Sequence, residues 1–184
     1  MRRGVPATAA FLAVCLPGAL GLALVSTLPA AAASSMNAPD VVVAPTGKAA
    51  EIAKEVCEEM VSSAVEEASE LTLAAPPAGV WVATNRFTCT YDLGGGTIVL
   101  GVRVLKSNGK AKTAFEQAKA KAKKPERLNG LGQSAFQASN GTLVARKDQF
   151  LLTIDPLALP EGVKKADVAL AASVAVLACW TGEA

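Results

Sequence analysis

An antiparallel β-sheet packed against helices, an α+β fold with elements in the order α-β-β-α-β-β(-β)-α, is the architecture this sequence predicts. Three observations carry that expectation. Residues 48–71 repeat apolar side chains at the three- and four-residue spacing of a helix. Two turn signals lie between strand candidates: Gly94-Gly95-Gly96 joins segments that alternate apolar and polar residues, and Asn140-Gly141 joins two short segments. Residues 168–180 form an almost wholly apolar run, too short to cross a bilayer and so placed in a core.

The N-terminus is read before any fold argument. Met1-Arg2-Arg3 is a short positive start, residues 5–28 carry no charge, and Pro29-Ala30-Ala31-Ala32-Ala33-Ser34-Ser35 supplies small residues. Together they predict a secretory signal peptide over residues 1–33, cut after Ala33, and a secreted or extracytoplasmic cell-envelope location. The alternative is an uncleaved anchor, since residues 5–28 are long enough to span a bilayer. Pro6, Pro17, Gly18 and the alanine run favour cleavage. Arg2-Arg3 lacks the hydrophobic pair of a twin-arginine signal. Cys15 follows Val14 instead of the small residue of a lipobox, so it reads as part of the signal.

Cleavage after Ala33 leaves 151 of the 184 residues, enough for one domain with a real core. It reduces 18 basic residues to 16 against 16 acidic ones, so no whole-molecule attraction to nucleic acid follows. Charge is segregated, however: residues 51–70 hold seven glutamates and one lysine, and residues 103–127 hold nine Lys/Arg and two glutamates. Three cysteines remain, Cys57, Cys89 and Cys179, and the sequence leaves all three pairings open.

Residues 34–47 form a proline-bearing tether, with Thr46 a candidate helix cap, and residues 48–182 form the domain. In the first helix Ile52, Val56, Met60, Ala64, Ala68 and Leu71 make the apolar stripe, with Cys57, Val61 and Val65 beside it and glutamates opposite. Pro76-Pro77 ends the helix. A strand over residues 80–93, with a break near Asn85, turns through the three glycines into residues 97–106. Residues 113–124 predict a second helix, stopped before Pro125. Residues 136–139, 142–147 and 150–155 are short strands, and a loop holding Pro156 and Pro160 leads to the apolar helix. Whether the acidic first helix and the basic second helix are neighbours stays open.

The cysteine of the first helix, Cys89-Thr90-Tyr91, the run from Asn129-Gly130-Leu131-Gly132 through Gln133-Ser134-Ala135-Phe136, then Leu143-Val144-Ala145-Arg146-Lys147-Asp148 and the closing apolar helix form a pattern. Over residues 50–180 it resembles small exported or lipoprotein-like domains of actinobacterial cell envelopes, many of unknown function. Some of these are related to sensor ectodomains of membrane kinases. The resemblance implies a disulfide between Cys57 and Cys89 and no catalytic residues. Such a bridge would stabilise the fold by roughly 3–4 kcal/mol through the loop it closes. Cys179 is then a free thiol in the last helix, with an intermolecular disulfide through it as the alternative.

The chain has no histidine, which removes Ser-His-Asp and Cys-His catalysis and the commonest transition-metal ligand. Ser107-Asn108-Gly109-Lys110 has a Ser-x-x-Lys spacing, but its Asn-Gly reads as a turn, where the lysine would not lie one helical turn from the serine. Thr46-Gly47-Lys48 lacks the upstream glycine of a phosphate loop. Glu58-Glu59 and Glu66-Glu67 point about 100° apart on a helix, and no loop alternates calcium ligands. No cofactor or metal site is predicted. Lys119, Lys121, Lys123, Lys124 and Arg127 form the densest charge cluster: a solubilising face, or a contact for an anionic envelope polymer or lipid headgroups. Few aromatics accompany it, against nucleic-acid stacking. Trp81 and Trp180 read as core or rim packing.

The function these features predict is an exported binding module for a partner protein or an apolar small ligand. An interaction protein docking through its basic helix on an anionic surface is the alternative, and an enzyme of carboxylate or lysine chemistry is the second. A ligand binder calls for a lined cavity between sheet and helices, an interaction protein for an exposed apolar patch, and an enzyme for a cleft of perturbed ionisable groups.

Overall fold

The computed structural model describes residues 45–181. The signal peptide, its cleavage at Ala33, the anchor alternative and most of the tether lie outside the described residues. No helix among them is long and apolar enough to cross a membrane. The fold is α+β. Helices α1 (Lys48–Lys54), α2 (Glu59–Ser69), α3 (Asn108–Lys121) and α4 (Lys165–Thr181) accompany seven strands. The strands are β1 (Ala78–Ala83), β2 (Arg86–Asp92), β3 (Thr97–Val104), β4 (Glu126–Leu128), β5 (Ser134–Gln137), β6 (Leu143–Lys147) and β7 (Phe150–Asp155). They form one antiparallel sheet in the order β1-β2-β3-β7-β6-β5-β4.

The expected single helix over residues 48–71 is broken. A 3-10 turn, Glu55–Cys57, follows α1, and Glu58 is extended before α2 begins. The break is anchored from the sheet. Cys57 is bonded to Cys89 of β2, with their Cα atoms 5.7 Å apart. The buried Tyr91 hydroxyl donates to the carbonyl of Val56, a group that a continuous helix would have used internally. The break rotates α2, so Val61 and Val65 are buried while Met60, expected on the stripe, is 40 % exposed. Glu66 of α2 accepts the backbone N–H of Leu73 at 2.7 Å and fixes the exit of the helix.

The weak point near Asn85 is a turn, so the expected strand over residues 80–93 is a hairpin of two. Ala83 pairs with Arg86, and a bulge follows Trp81. The glycine turn behaves as expected, with Asp92 opposite Thr97. Strand β4 is additional, pairing Glu126 with Gln137 and Leu128 with Ala135. Helix α3 starts earlier than expected. Ser107 is its N-cap, accepting the Lys110 N–H at 3.3 Å, so Ser107-Asn108-Gly109-Lys110 is the cap and first turn of a helix and not a free turn.

Alternation along the strands divides the buried residues into two layers. One row crosses the whole sheet, Trp81–Phe87–Val102–Leu152–Ala145–Ala135–Leu128. It lies in the main core with Tyr91, Leu100 and Ile154, covered by α1, α2 and α4. On the other face Phe136, Val144 and Leu151 pack under Ala114 and Phe115 of α3. The acidic segment holding α1 and α2 and the basic helix α3 therefore lie on opposite faces of the sheet. The core row explains the size of α4: Val168, Ala169, Ala172, Ala175 and Val176 bury its inner face, and Trp180 donates to the Ile52 carbonyl at 3.0 Å. The Trp180 ring packs on Phe150 at 5.2 Å.

Candidate functional site

A groove of about 470 Å³ runs beside α4, walled on its far side by the loop between β4 and β5 and by the turn between β6 and β7. From α4 it takes Val174, Leu177 and Ala178, spaced to share one side of the helix. Leu131 faces them, and Gln133, Lys147 and Asp148 supply polar atoms. The apolar surface continues outward. Val174 is 52 % exposed, and Leu170, one turn earlier, is 38 % exposed. A larger depression of about 590 Å³ lies between the end of α2 and the start of α4, but Glu70, Glu161, Lys164 and Asp167 dominate its polar rim.

Local chemistry holds the groove's outer wall in place. Gly132 has φ +53°, and a Cβ there would stand 2.6 Å from the Arg146 carbonyl, so this close approach of loop to strand requires glycine. The Gln133 N–H donates to that carbonyl at 2.8 Å. The Gln133 amide also accepts the Asp148 N–H at 3.0 Å and donates to the Asp148 carboxylate at 3.0 Å. One side chain thus fastens the loop to the β6–β7 turn.

Arg146, only 9 % exposed, completes the scaffold. Its Nη1 donates to the side-chain oxygens of Asn108 and Gln133, and its Nη2 to the Ser134 hydroxyl at 3.4 Å. Its Nε is buried without a hydrogen-bond partner. Neutral oxygens, with no carboxylate in direct contact, hold this guanidinium under the start of α3. Desolvation makes that arrangement costly unless the donors are matched. Sequence reasoning passed over Gln133 and Arg146. The available signal was a charged residue inside a short strand candidate, directly after the apolar run Leu143-Val144-Ala145.

The structure disperses the residues singled out from sequence. Cys57 and Cys89 are bonded, which suits an oxidising, extracytoplasmic setting. Cys179 is a free, half-buried thiol near the helix break. Burial pushes its pKa up, and Glu55 and Glu58 raise it further, so the reactive thiolate is disfavoured. Glu55 is shifted upward by burial and then by Glu58, and its Oε2 is buried without a partner. These groups surround the break between α1 and α2, and none of them lines the groove. Among the described residues no group of three or more Cys, Asp or Glu is placed to hold a metal ion.

The basic cluster is on the α3 side of the sheet. Lys119 and Lys121 end α3, Lys123 and Lys124 follow it, and Arg127 belongs to β4. All but the half-exposed Lys119 are exposed, and no ion pair recorded among the described residues involves them. No known protein family matches this chain, and no characterised protein is similar to it at a significant level.

Proposed function

We propose that this chain is an extracytoplasmic binding module that receives an apolar segment of a partner protein in the groove beside α4. The observation that carries the reading is the continuity of exposed Leu170 and Val174 with the groove's Leu131, Leu177 and Ala178. An apolar surface that leads into a depression and is rimmed by polar groups is the form of an interaction site. The sheet–helix interior is filled by side chains such as Tyr91, Leu100 and Ile154, all fully buried. That filling favours a partner's side chains over an enclosed small molecule. The groove's charged pair, Lys147 and Asp148, is a rim feature, with Asp148 held by Gln133, and we assign it no catalytic role.

Export by the signal of residues 1–33 completes this reading, supported by the Cys57–Cys89 bond. Kinship with small envelope domains of actinobacteria belongs to the same proposal. Its support is the shared pattern of helix cysteine, Cys89-Thr90-Tyr91 strand and closing apolar helix.

The test is a photo-crosslinking residue placed at Val174 in producing cells, with the same residue at Leu157 as the control. Leu157 is comparably exposed but belongs to the loop after β7 and does not line the groove. A discrete adduct from position 174 and none from 157 is the expected result. Equal adducts at both positions, or none at 174, would overturn the proposal.

A further inference from the structure

On the other face of the sheet, where α3 ends over β5 and β6, lies a second depression of about 290 Å³. Its floor is apolar. Phe136 of β5 and Val144 of β6 form the base, and Ala118 and Ala122 form the helical wall. The base is well shielded, with Phe136 only 1 % exposed. The slot has a simple origin in the sequence. Near its start α3 meets the sheet with Phe115, whose ring packs on Phe136 at 5.4 Å. One and two turns later the same side of the chain offers only alanines, and the space a larger side chain would occupy stays open.

The rim has the opposite character. Lys121 and Lys123 line it, together with Asn140 and Thr142, and no carboxylate does. Lys119 and Lys124 adjoin them in the chain. Arg127 pairs with Phe136 across β4 and β5, which places it on the slot's face of the sheet. The Ser139 N–H donates to the Lys123 carbonyl at 3.0 Å and keeps the post-helix segment against this edge. Lys121 and Lys123 therefore line an apolar slot, Lys119, Lys124 and Arg127 are near them in chain or sheet, and no ion pair recorded among the described residues involves these five.

The two halves select one ligand chemistry. A bare anion would satisfy the lysines but leave the open space beside Ala118 and Ala122 without an apolar partner. A neutral hydrocarbon would fill the slot but leave the cations uncompensated. An acyl chain carrying a carboxylate or phosphate monoester satisfies both at once. We propose that this slot binds a single lipid molecule with one anionic headgroup, its chain against Ala118, Ala122, Phe136 and Val144 and its headgroup between Lys121 and Lys123. The site is independent of the groove beside α4, which lies against the other helical layer.

The test titrates the protein with dodecyl phosphate below its micelle concentration and follows amide chemical shifts. Dodecyl maltoside and inorganic phosphate serve as the two half-ligands. Saturable shifts confined to Ala118, Ala122, Phe136, Val144 and their neighbours are expected with dodecyl phosphate alone. K121Q/K123Q should weaken binding by roughly tenfold or more, as two charge-assisted contacts are lost. A122L, which fills the slot, should abolish it while the shifts of β2 and β3 stay unchanged. Inorganic phosphate binding equally well would reduce the site to a basic surface, and maltoside binding equally well would reduce it to a greasy one. Either result overturns the proposal. Should A122L fail to fold, the wild-type shift map decides alone: shifts along α4 in place of the slot refute it.

Discussion

Tyr91 is the residue on which the break between α1 and α2 turns. Its fully buried hydroxyl donates to the Val56 carbonyl, and burial pushes its pKa upward. Tyr91→Phe keeps the ring but strands that carbonyl, so the variant should lose about 1–3 kcal/mol of stability in urea denaturation. A loss below the error of the fit would mean water replaces the hydroxyl. Glu55 acts on the same break with a definite sign. Its folded pKa lies above the ordinary 4.5, through burial first and Glu58 second. Between those two values the folded state binds more protons than the unfolded chain. Its contribution is therefore full below pH 4.5 and is lost as pH rises through the folded value. The wild-type urea midpoint should fall relative to that of Glu55→Gln as pH is raised from mildly acidic to neutral. Parallel profiles for the two proteins would remove Glu55 from the account.

At the scale of elements, the disulfide and the helix caps decide where secondary structure starts and stops. The Cys57–Cys89 bond closes a 32-residue separation and ties the 3-10 turn to β2. Reducing it, or replacing both cysteines by serine, should cost roughly 3–4 kcal/mol, read from the denaturant midpoint with and without reductant. An unchanged midpoint would show that packing of Val56 and Val61 suffices by itself. Ser107→Ala removes the N-cap of α3 and should cost about 1 kcal/mol, with fraying at Asn108 and Gly109 visible in amide exchange. These two elements also mark where the sequence was and was not legible. Alternation identified β2 and β3, because each places every second side chain in the main core, and the Asn140-Gly141 turn signal marked the start of β6. The break at Glu58 was hidden because the three- and four-residue spacing runs through it unchanged. What interrupts the helix is a long-range bond and a tyrosine 35 residues away. Strand β4 was hidden because it has three residues, two of them charged, and exists only by pairing with β5. The Lys119–Arg127 cluster was plain in the sequence. The groove at Leu131 and Val174 was not, since it joins residues that only the closed sheet brings together.

At the largest scale the sheet has two unequal edges and two unequal faces. One edge, β4, is three residues long, follows Pro125 and carries Glu126 and Arg127, the usual means of keeping other strands away. The other edge, β1, has six residues, and no charged residue occurs anywhere in residues 71–85. Helix α3 covers the outer face over β5, β6 and β7, so Val80, at the far end of the row Val80–Thr88–Gly101–Thr153, is 55 % exposed. An uncharged, partly apolar edge next to an open face is a template for pairing with another chain. If that edge limits the solubility of the fold, a lysine on it should act without touching the core. Val80→Lys should change stability by less than about 1 kcal/mol, because the side chain already faces water. It should nonetheless suppress concentration-dependent association under mild heating, followed by light scattering and by a cross-β dye. Equal scattering from the two proteins would place the association surface elsewhere, with exposed Leu170 and Val174 of α4 the next to be charged. Because α4 belongs to the proposed partner groove and β1 does not, the pair of variants separates an edge that must be guarded from a surface that is used.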